Sequence, residues 1–262
     1  MSLPRFFIDA AFLHPSAAAG DECVIPLPAS VYQHMRTRRL QADEHFVLVD
    51  QGNVALEFAF VELLAAEQAV ATQFIARAPS PAGPPLTLVQ GVSKGERMEQ
   101  AIRQTTEIGV TRIIPLLSER VIVRLGQDDA RKKRDRWHRI ARSAAEQAGR
   151  NAVPQLTLPV DLEGSLAACA DCDGIICAWE ESSEASLHTA VEAIRSRSNK
   201  PLPHIALYIG PEGGFSGSEV ERLRAAGALV VSLGPTILRT ETAGLVASAL
   251  LLHELGGLGN RA

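Results

Sequence analysis

The feature that most restricts how this chain can fold lies beyond residue 85. Six short apolar runs, at 86–90, 112–117, 155–158, 174–178, 204–209 and 229–233, alternate with helical periodicity at 96–108, 128–149, 161–170, 185–197 and 216–226. Strands that are each followed by a helix can lie parallel, because the helix carries the chain back across the sheet. The runs are continuously apolar rather than alternating, which is the pattern of strands covered on both faces. The expectation is an α/β fold with a mostly parallel sheet. In such sheets ligands bind at turns beyond the carboxyl ends of the strands. A last segment, 241–255, is apolar nearly all round, so it is predicted to be a helix buried in the domain or against a second subunit.

Upstream the texture differs. Short strand-like runs at 6–8, 23–25, 45–49, 54–63 and 70–75, with one helical segment near 30–39, predict a small β-barrel over residues 1–76. Residues 77–85 carry four prolines and a glycine and read as a linker, leaving 86–262 as the second domain. At 262 residues and 46% hydrophobic content, the chain can bury two cores of ordinary size.

No apolar run approaches the roughly 20 residues that span a bilayer. The start, Met1-Ser2-Leu3-Pro4-Arg5, lacks the charged and apolar regions of a signal peptide, so the expected location is cytoplasmic, with no membrane partner. A net charge of −4 argues against indiscriminate nucleic-acid coating but leaves room for local basic clusters. Of the four cysteines, Cys169 and Cys172 form one C-x-x-C with Cys177 nearby. The flanks offer neither a second pair nor a histidine at matching spacing, so reduced thiols without a metal are expected.

Two turns stand out. G-P-E-G-G-F-S at 210–216 follows the 204–209 run, and S-L-G-P-T-I-L-R-T-E-T-A at 232–243 follows the next one. Glycines at a strand-to-helix turn let backbone approach a ligand closely, and two such neighbouring turns predict one shared pocket. No G-x-G-x-x-G follows the first strand of the sheet, which weakens a dinucleotide-dependent oxidoreductase reading.

Together with K-G-E-R-M-E at 94–99, T-E-I-G-V at 106–110, S-E-R at 118–120, E-Q-x-x-R at 146–150, an N-terminal R-F-F and the segment from His34 to Arg39, these motifs resemble the RsmE family. Its members are SPOUT-class methyltransferases acting on N3 of a uridine in 16S ribosomal RNA, at the position numbered 1498 in that RNA. The resemblance implies a PUA-like RNA-binding barrel, then a SPOUT domain with a parallel sheet and a deep trefoil knot. It also implies S-adenosyl-L-methionine as cofactor, the small ribosomal subunit RNA as partner, a homodimer, and no metal. Two departures from the family pattern are Thr236, where an arginine is usual, and the absence of a glycine in 40–44.

On that basis the cofactor residues are Ala178, Trp179, Gly210, Glu212, Gly213, Gly214, Leu233, Gly234, Ile237, Leu238 and Thr242. Uracil N3 carries a weakly acidic proton, so the site needs a proton acceptor or a cation for the resulting negative charge. Arg239 and Glu241 fit those roles, or else lock the fold by pairing with other groups. Arg5, Arg36, Arg38, Arg39, Lys94 and Arg97 offer contacts to RNA phosphates. The resemblance places Arg150 near substrate, although pairing with Glu146 one helical turn away is an alternative. The basic run 131–136 is either RNA-facing or a solvated helix face, and Trp137 behind it is expected in the core. A ribose 2′-O-methyltransferase and a non-catalytic RNA-binding assembly factor are the competing functions.

Overall fold

The computed structural model describes residues 3–8, 18–50, 54–78, 83–121, 126–181 and 185–259. Two packed units account for them, one of Met1–Ala82 with Ala145–Ala152, the other of Gly83–Ala144 with Val153–Ala262. Residues 79–82 of the proline-rich segment lie outside the described residues.

The first unit contains strands β1 (Arg5–Phe7), β2 (Glu22–Pro26), β3 (His45–Val49), β4 (Ala55–Leu64) and β5 (Ala69–Arg77), and helix α1 (Ala29–Arg38). Their order in one sheet is β1-β3-β4-β5-β2. β1 and β3 run parallel, and the other pairs are antiparallel. Phe6, Phe46, Phe58 and Val70 turn inward and meet Val31, Tyr32 and Met35 of α1 in a single core. Register shifts at Glu57/Phe58 and Phe60/Glu62 bend the β4–β5 pair. In the turn that lacks the family glycine, Asp43 takes φ +65°, a left-handed conformation that Asp tolerates better than most side chains.

The second unit runs β6 (Leu86–Gly91), α2 (Arg97–Ile108), β7 (Arg112–Leu116), α3 (Gln127–Gln147), β8 (Gln155–Leu156), α4 (Leu162–Ala168), β9 (Gly174–Ala178), α5 (Leu187–Ser198), β10 (Ile205–Ile209), α6 (Gly217–Ala225), β11 (Leu229–Val231) and α7 (Thr240–Glu254). The last three residues of α3 fall in the first unit. The six strands form one parallel sheet in the order β11-β9-β10-β6-β7-β8. The expected parallel α/β sheet is therefore present. The runs at 155–158 and 229–233 yield strands of only two and three residues, because both lie at sheet edges and Pro154, Pro159 and the Ser232-to-Gly234 turn cut them short.

Successive residues of each strand feed opposite faces, as a two-residue period requires. Leu88, Ile113, Ile176 and Leu207 join Met98, Ile102, Val191, Ile194 and Leu251 on the face covered by α2, α5 and α7. Their neighbours Val89, Ile114, Cys177 and Tyr208 join Leu162, Val220 and Leu223 on the face covered by α4 and α6. Trp137 is buried in the first of these clusters, as its place on the apolar stripe of α3 predicts. Helix α7 buries Gly244, Ala247, Ser248, Leu251 and Leu252, whereas Leu245, Val246, Ala249 and Leu250 stay partly or fully exposed along the opposite stripe.

Candidate functional site

The sheet order sets β10 between β6 and β9, so the carboxyl ends of three parallel strands open side by side, with Ile209 opposite both Gln90 and Ala178. Beyond them lies a cavity of about 320 Å³, within the range of small-molecule sites.

The turn after β10 forms one wall. Ser216 caps α6 by accepting from the Glu219 N–H at 3.2 Å, and the Glu219 carboxylate accepts in return from the Ser216 N–H at 2.9 Å. This capping box fixes where the glycine turn ends. Glu219 also accepts from the Glu119 N–H, while Glu119 takes the Ser216 and Ser218 hydroxyls and the Arg222 guanidinium. Those hydroxyls hold the Glu119 carboxyl below its ordinary range. The S-E-R motif thus serves as the mount of the glycine turn. Within the turn Gly214 has φ +66°, and a Cβ there would lie 2.3 Å from a Glu180 carboxylate oxygen.

The stretch from Leu233 to Thr240 forms the facing wall. Gln90, fully buried at the end of β6, donates from Nε2 to the Thr240 hydroxyl at 2.8 Å, and that hydroxyl donates to the Gly210 carbonyl at 2.5 Å. One side chain therefore ties both turns to the sheet. Thr240→Val removes the tie and strands two buried polar groups, which costs about 1–3 kcal/mol. Isothermal titration should then show affinity for the expected cofactor reduced by about tenfold or more.

Eleven of the thirteen residues expected to bind cofactor or act in catalysis line this cavity: Ala178, Trp179, Gly210, Glu212, Gly214, Leu233, Gly234, Ile237, Leu238, Arg239 and Glu241. Gly213 and Thr242 do not. Gly213 instead packs against Arg120, whose Nη1 donates to its carbonyl at 2.8 Å. Glu212 is engaged from two sides, accepting from the Lys94 N–H at 2.9 Å and from Arg97 Nη1 at 3.0 Å. It therefore clasps the 94–97 segment, which brings Arg97 into the cavity wall. Sequence reasoning missed Glu180, Pro211, Thr236 and Thr240, which also line it. Thr240 was findable, since it lies between the two chemically marked residues of L-R-T-E-T.

Several polar atoms here have no partner among the described residues. Glu241 is only 6% exposed, yet its Oε2 is without a hydrogen bond, as are Trp179 Nε1 and Gln90 Oε1. Among the described residues Arg239 is exposed and its guanidinium makes no ion pair. Among the described residues, neither the Arg239 guanidinium nor Glu241 Oε2 has a partner of the kind that a lock between other groups would use. A close-approach glycine turn beside buried donors and acceptors without partners among the described residues fits a polar small molecule with an aromatic or aliphatic body.

The residues expected to meet RNA fall in both units. Arg36 and Arg38 occupy the last turn of α1 and Arg39 follows it at φ +54°, all exposed. Arg5 donates to the Asn151 side chain within the first unit. Glu146 lies 3.5 Å from His34 Nδ1, and burial holds Arg150 below its usual range. In the basic run Arg136 pairs with Glu99 at 2.8 Å and Lys133 sits 5.8 Å over the Trp137 ring. Among the described residues no helix is long and apolar enough to cross a membrane.

A family model described as an RNA methyltransferase domain matches residues 80–252. The chain is 38% identical over 167 residues to the ribosomal RNA small subunit methyltransferase E of Bacillus subtilis, a match that spans 64% of this chain and 65%, just under two thirds, of that relative's length. It is 31% identical over 223 residues to the Synechocystis protein of the same name, covering 84% of this chain and 70% of the relative. Among solved structures, the Neisseria gonorrhoeae protein of that name, bound to S-adenosyl methionine, superposes with a TM-score of 0.77 at 29% identity, covering 96% of this chain and 97% of that one.

Proposed function

The chain belongs to the ribosomal RNA small subunit methyltransferase E family, and from that premise we propose that it methylates N3 of a uridine in 16S ribosomal RNA, the position numbered 1498, using S-adenosyl-L-methionine. The observation that carries this reading is the juxtaposition, in one cavity, of a glycine turn able to admit a cofactor closely with a buried carboxylate and an unpaired guanidinium, Glu241 and Arg239.

S-adenosylmethionine supplies an electrophilic methyl group, so the protein's task is to orient the nucleophile and manage its proton. Gly210, Gly214, Leu233, Gly234 and Leu238 offer backbone to the cofactor, with Ala178, Trp179 and Ile237 as apolar walls and Gly213 and Thr242 supporting from behind. Glu241 accepts the N3 proton, directly or through water, on the oxygen that none of the described residues engages. Arg239 stands where it can stabilise negative charge on the uracil oxygens. Arg36, Arg38, Arg39 and Lys94 hold RNA phosphates, with Arg5 and Arg150 shaping the first unit's surface. That unit is read as a PUA-like RNA-binding barrel over 1–76, followed by the linker 77–85. The remainder, 86–262, is read as a SPOUT domain whose last segment threads a trefoil knot. Supporting the knot, the chain after β11 is anchored at Gly210 and Gln90, inside the sheet's carboxyl edge. The exposed stripe Leu245, Val246, Ala249 and Leu250 supports a homodimer with that helix in its interface. The reading entails a cytoplasmic location.

The decisive experiment incubates the protein and labelled S-adenosylmethionine with small ribosomal subunits from cells lacking the endogenous enzyme. Nucleosides are then digested and identified by mass spectrometry. Label in 3-methyluridine bears the proposal out. Label on a ribose 2′ oxygen refutes the assignment of the reacting atom, and RNA binding without cofactor binding replaces it with an assembly factor.

A further inference from the structure

The C-x-x-C remains unexplained by methyl transfer. Cys169 follows α4, and the Cys172 N–H donates to its carbonyl at 2.9 Å. A turn so closed keeps the two Cα atoms within about 7 Å, and a disulfide needs about 4.4–6.8 Å. Arg112, at the amino end of β7, donates from Nη2 to Cys172 Sγ at 3.2 Å and to Asp171 Oδ1 at 2.7 Å. A cavity of about 330 Å³, whose wall includes Cys169, Cys172 and Arg197, opens beside the pair.

We propose that Cys169 and Cys172 form a redox-modification site, closed to an intrachain disulfide by thiol–disulfide exchange with a small-molecule disulfide such as oxidised glutathione. The Arg112 guanidinium, donating to Cys172 Sγ at 3.2 Å, places a positive charge beside the pair and favours a thiolate there. One cysteine of the pair is the nucleophile. Its thiolate attacks one sulfur of the small disulfide, and the other sulfur leaves as thiolate with the bonding electrons. The second cysteine then gives its proton to that thiolate and attacks the sulfur of the first, expelling the second thiolate, which takes a proton from water. Two protein thiols become one disulfide, and the two electrons leave in two molecules of small thiol. The other cysteines lack this arrangement: Cys177 is pushed up to about 12, chiefly by burial, and burial also raises Cys23.

The competing occupant is a metal ion, because the donor atoms of Asp171, Cys172 and His204 lie within 4.8 Å of one another. His204 comes from just before β10, so no local spacing announces it. Against a metal, the guanidinium of Arg112 already bridges two of those three donors and neutralises them. The whole group sits at the amino ends of β6, β7, β9 and β10, opposite the methyltransferase cavity.

The test equilibrates the full-length protein across a series of reduced-to-oxidised glutathione ratios, traps thiols with N-ethylmaleimide and maps the peptides by mass spectrometry. Expected is the concerted loss of two alkylation sites, Cys169 and Cys172, with a mass lower by two hydrogens. Cys172→Ser should instead accumulate one glutathione on Cys169. Arg112→Gln should slow exchange about tenfold at neutral pH and recover at higher pH, as loss of a thiolate-stabilising charge requires. Persistent alkylation of both cysteines at every ratio, adducts confined to Cys23, or stoichiometric zinc that must be chelated before the pair reacts would each overturn the proposal.

Discussion

Arg239→Met should lower the rate of methyl transfer by about 10²- to 10³-fold while leaving S-adenosylmethionine affinity within about twofold, the scale on which a single charge-stabilising donor contributes to a transition state. The split follows from where Arg239 stands. It is the residue just before α7, its side chain is exposed, and it makes no ion pair among the described residues. Losing the guanidinium therefore strands no buried partner, and the thermal midpoint should hardly move. A role in holding the fold would have the opposite signature, with reduced Tm and weaker cofactor binding at unchanged turnover per bound complex. Glu241→Gln separates the second role. It keeps the size of a side chain that is 6% exposed but removes a carboxylate whose Oε2 has no partner among the described residues. If Glu241 accepts the N3 proton, the variant's residual rate should rise with pH as solvent hydroxide takes over. A flat profile at wild-type rate would assign proton removal to another group.

The parts of this site that could be read in the sequence are those whose chemistry is local. A helix pattern opening with Ser216 and carrying Glu219 three residues on announces its own cap, and the structure closes that box. The apolar runs at 86–90 and 174–178 announce buried parallel strands, because only strands covered on both faces dispense with polar alternation. What could not be read depends on contacts across long sequence separations. Gln90 and Thr240 meet 150 residues apart, and nothing beside Gln90 in the chain betrays it. Glu212 lines the cavity as expected from its place in the glycine turn, but its two donors from the 94–97 segment could not be read. Similarly, the packing of Ala145–Ala152 with the first unit leaves no mark on the amphipathic pattern of α3. Periodicity reports which face is apolar and is silent on which unit covers it.

Gly91 is the sharpest instance, and its replacement is expected to have the largest structural effect. It ends β6 and is buried, and a Cβ placed on it would lie 2.3 Å from the Pro211 nitrogen and 2.7 Å from the Gly210 carbonyl carbon. Both obstacles are backbone, so no side-chain rotation relieves them. Gly91→Ala must push the 210–211 turn outward by about 1 Å to restore ordinary contact, and misplacement on that scale costs on the order of 10²-fold in a positioned reaction. Moving the turn also pulls the Gly210 carbonyl away from the Thr240 hydroxyl, which loosens the facing wall through Gln90. Cofactor affinity should fall by about 10²-fold or more, with an overpacking cost to stability of about 1–3 kcal/mol. A control separates the two effects: Gly83→Ala, whose added Cβ meets nothing within 4 Å, should change neither. Equilibrium unfolding and isothermal titration on both variants make the comparison. Wild-type affinity in a Gly91→Ala protein that has lost stability would mean that the β6 end supports the sheet alone, and that the glycine turn keeps its position without it.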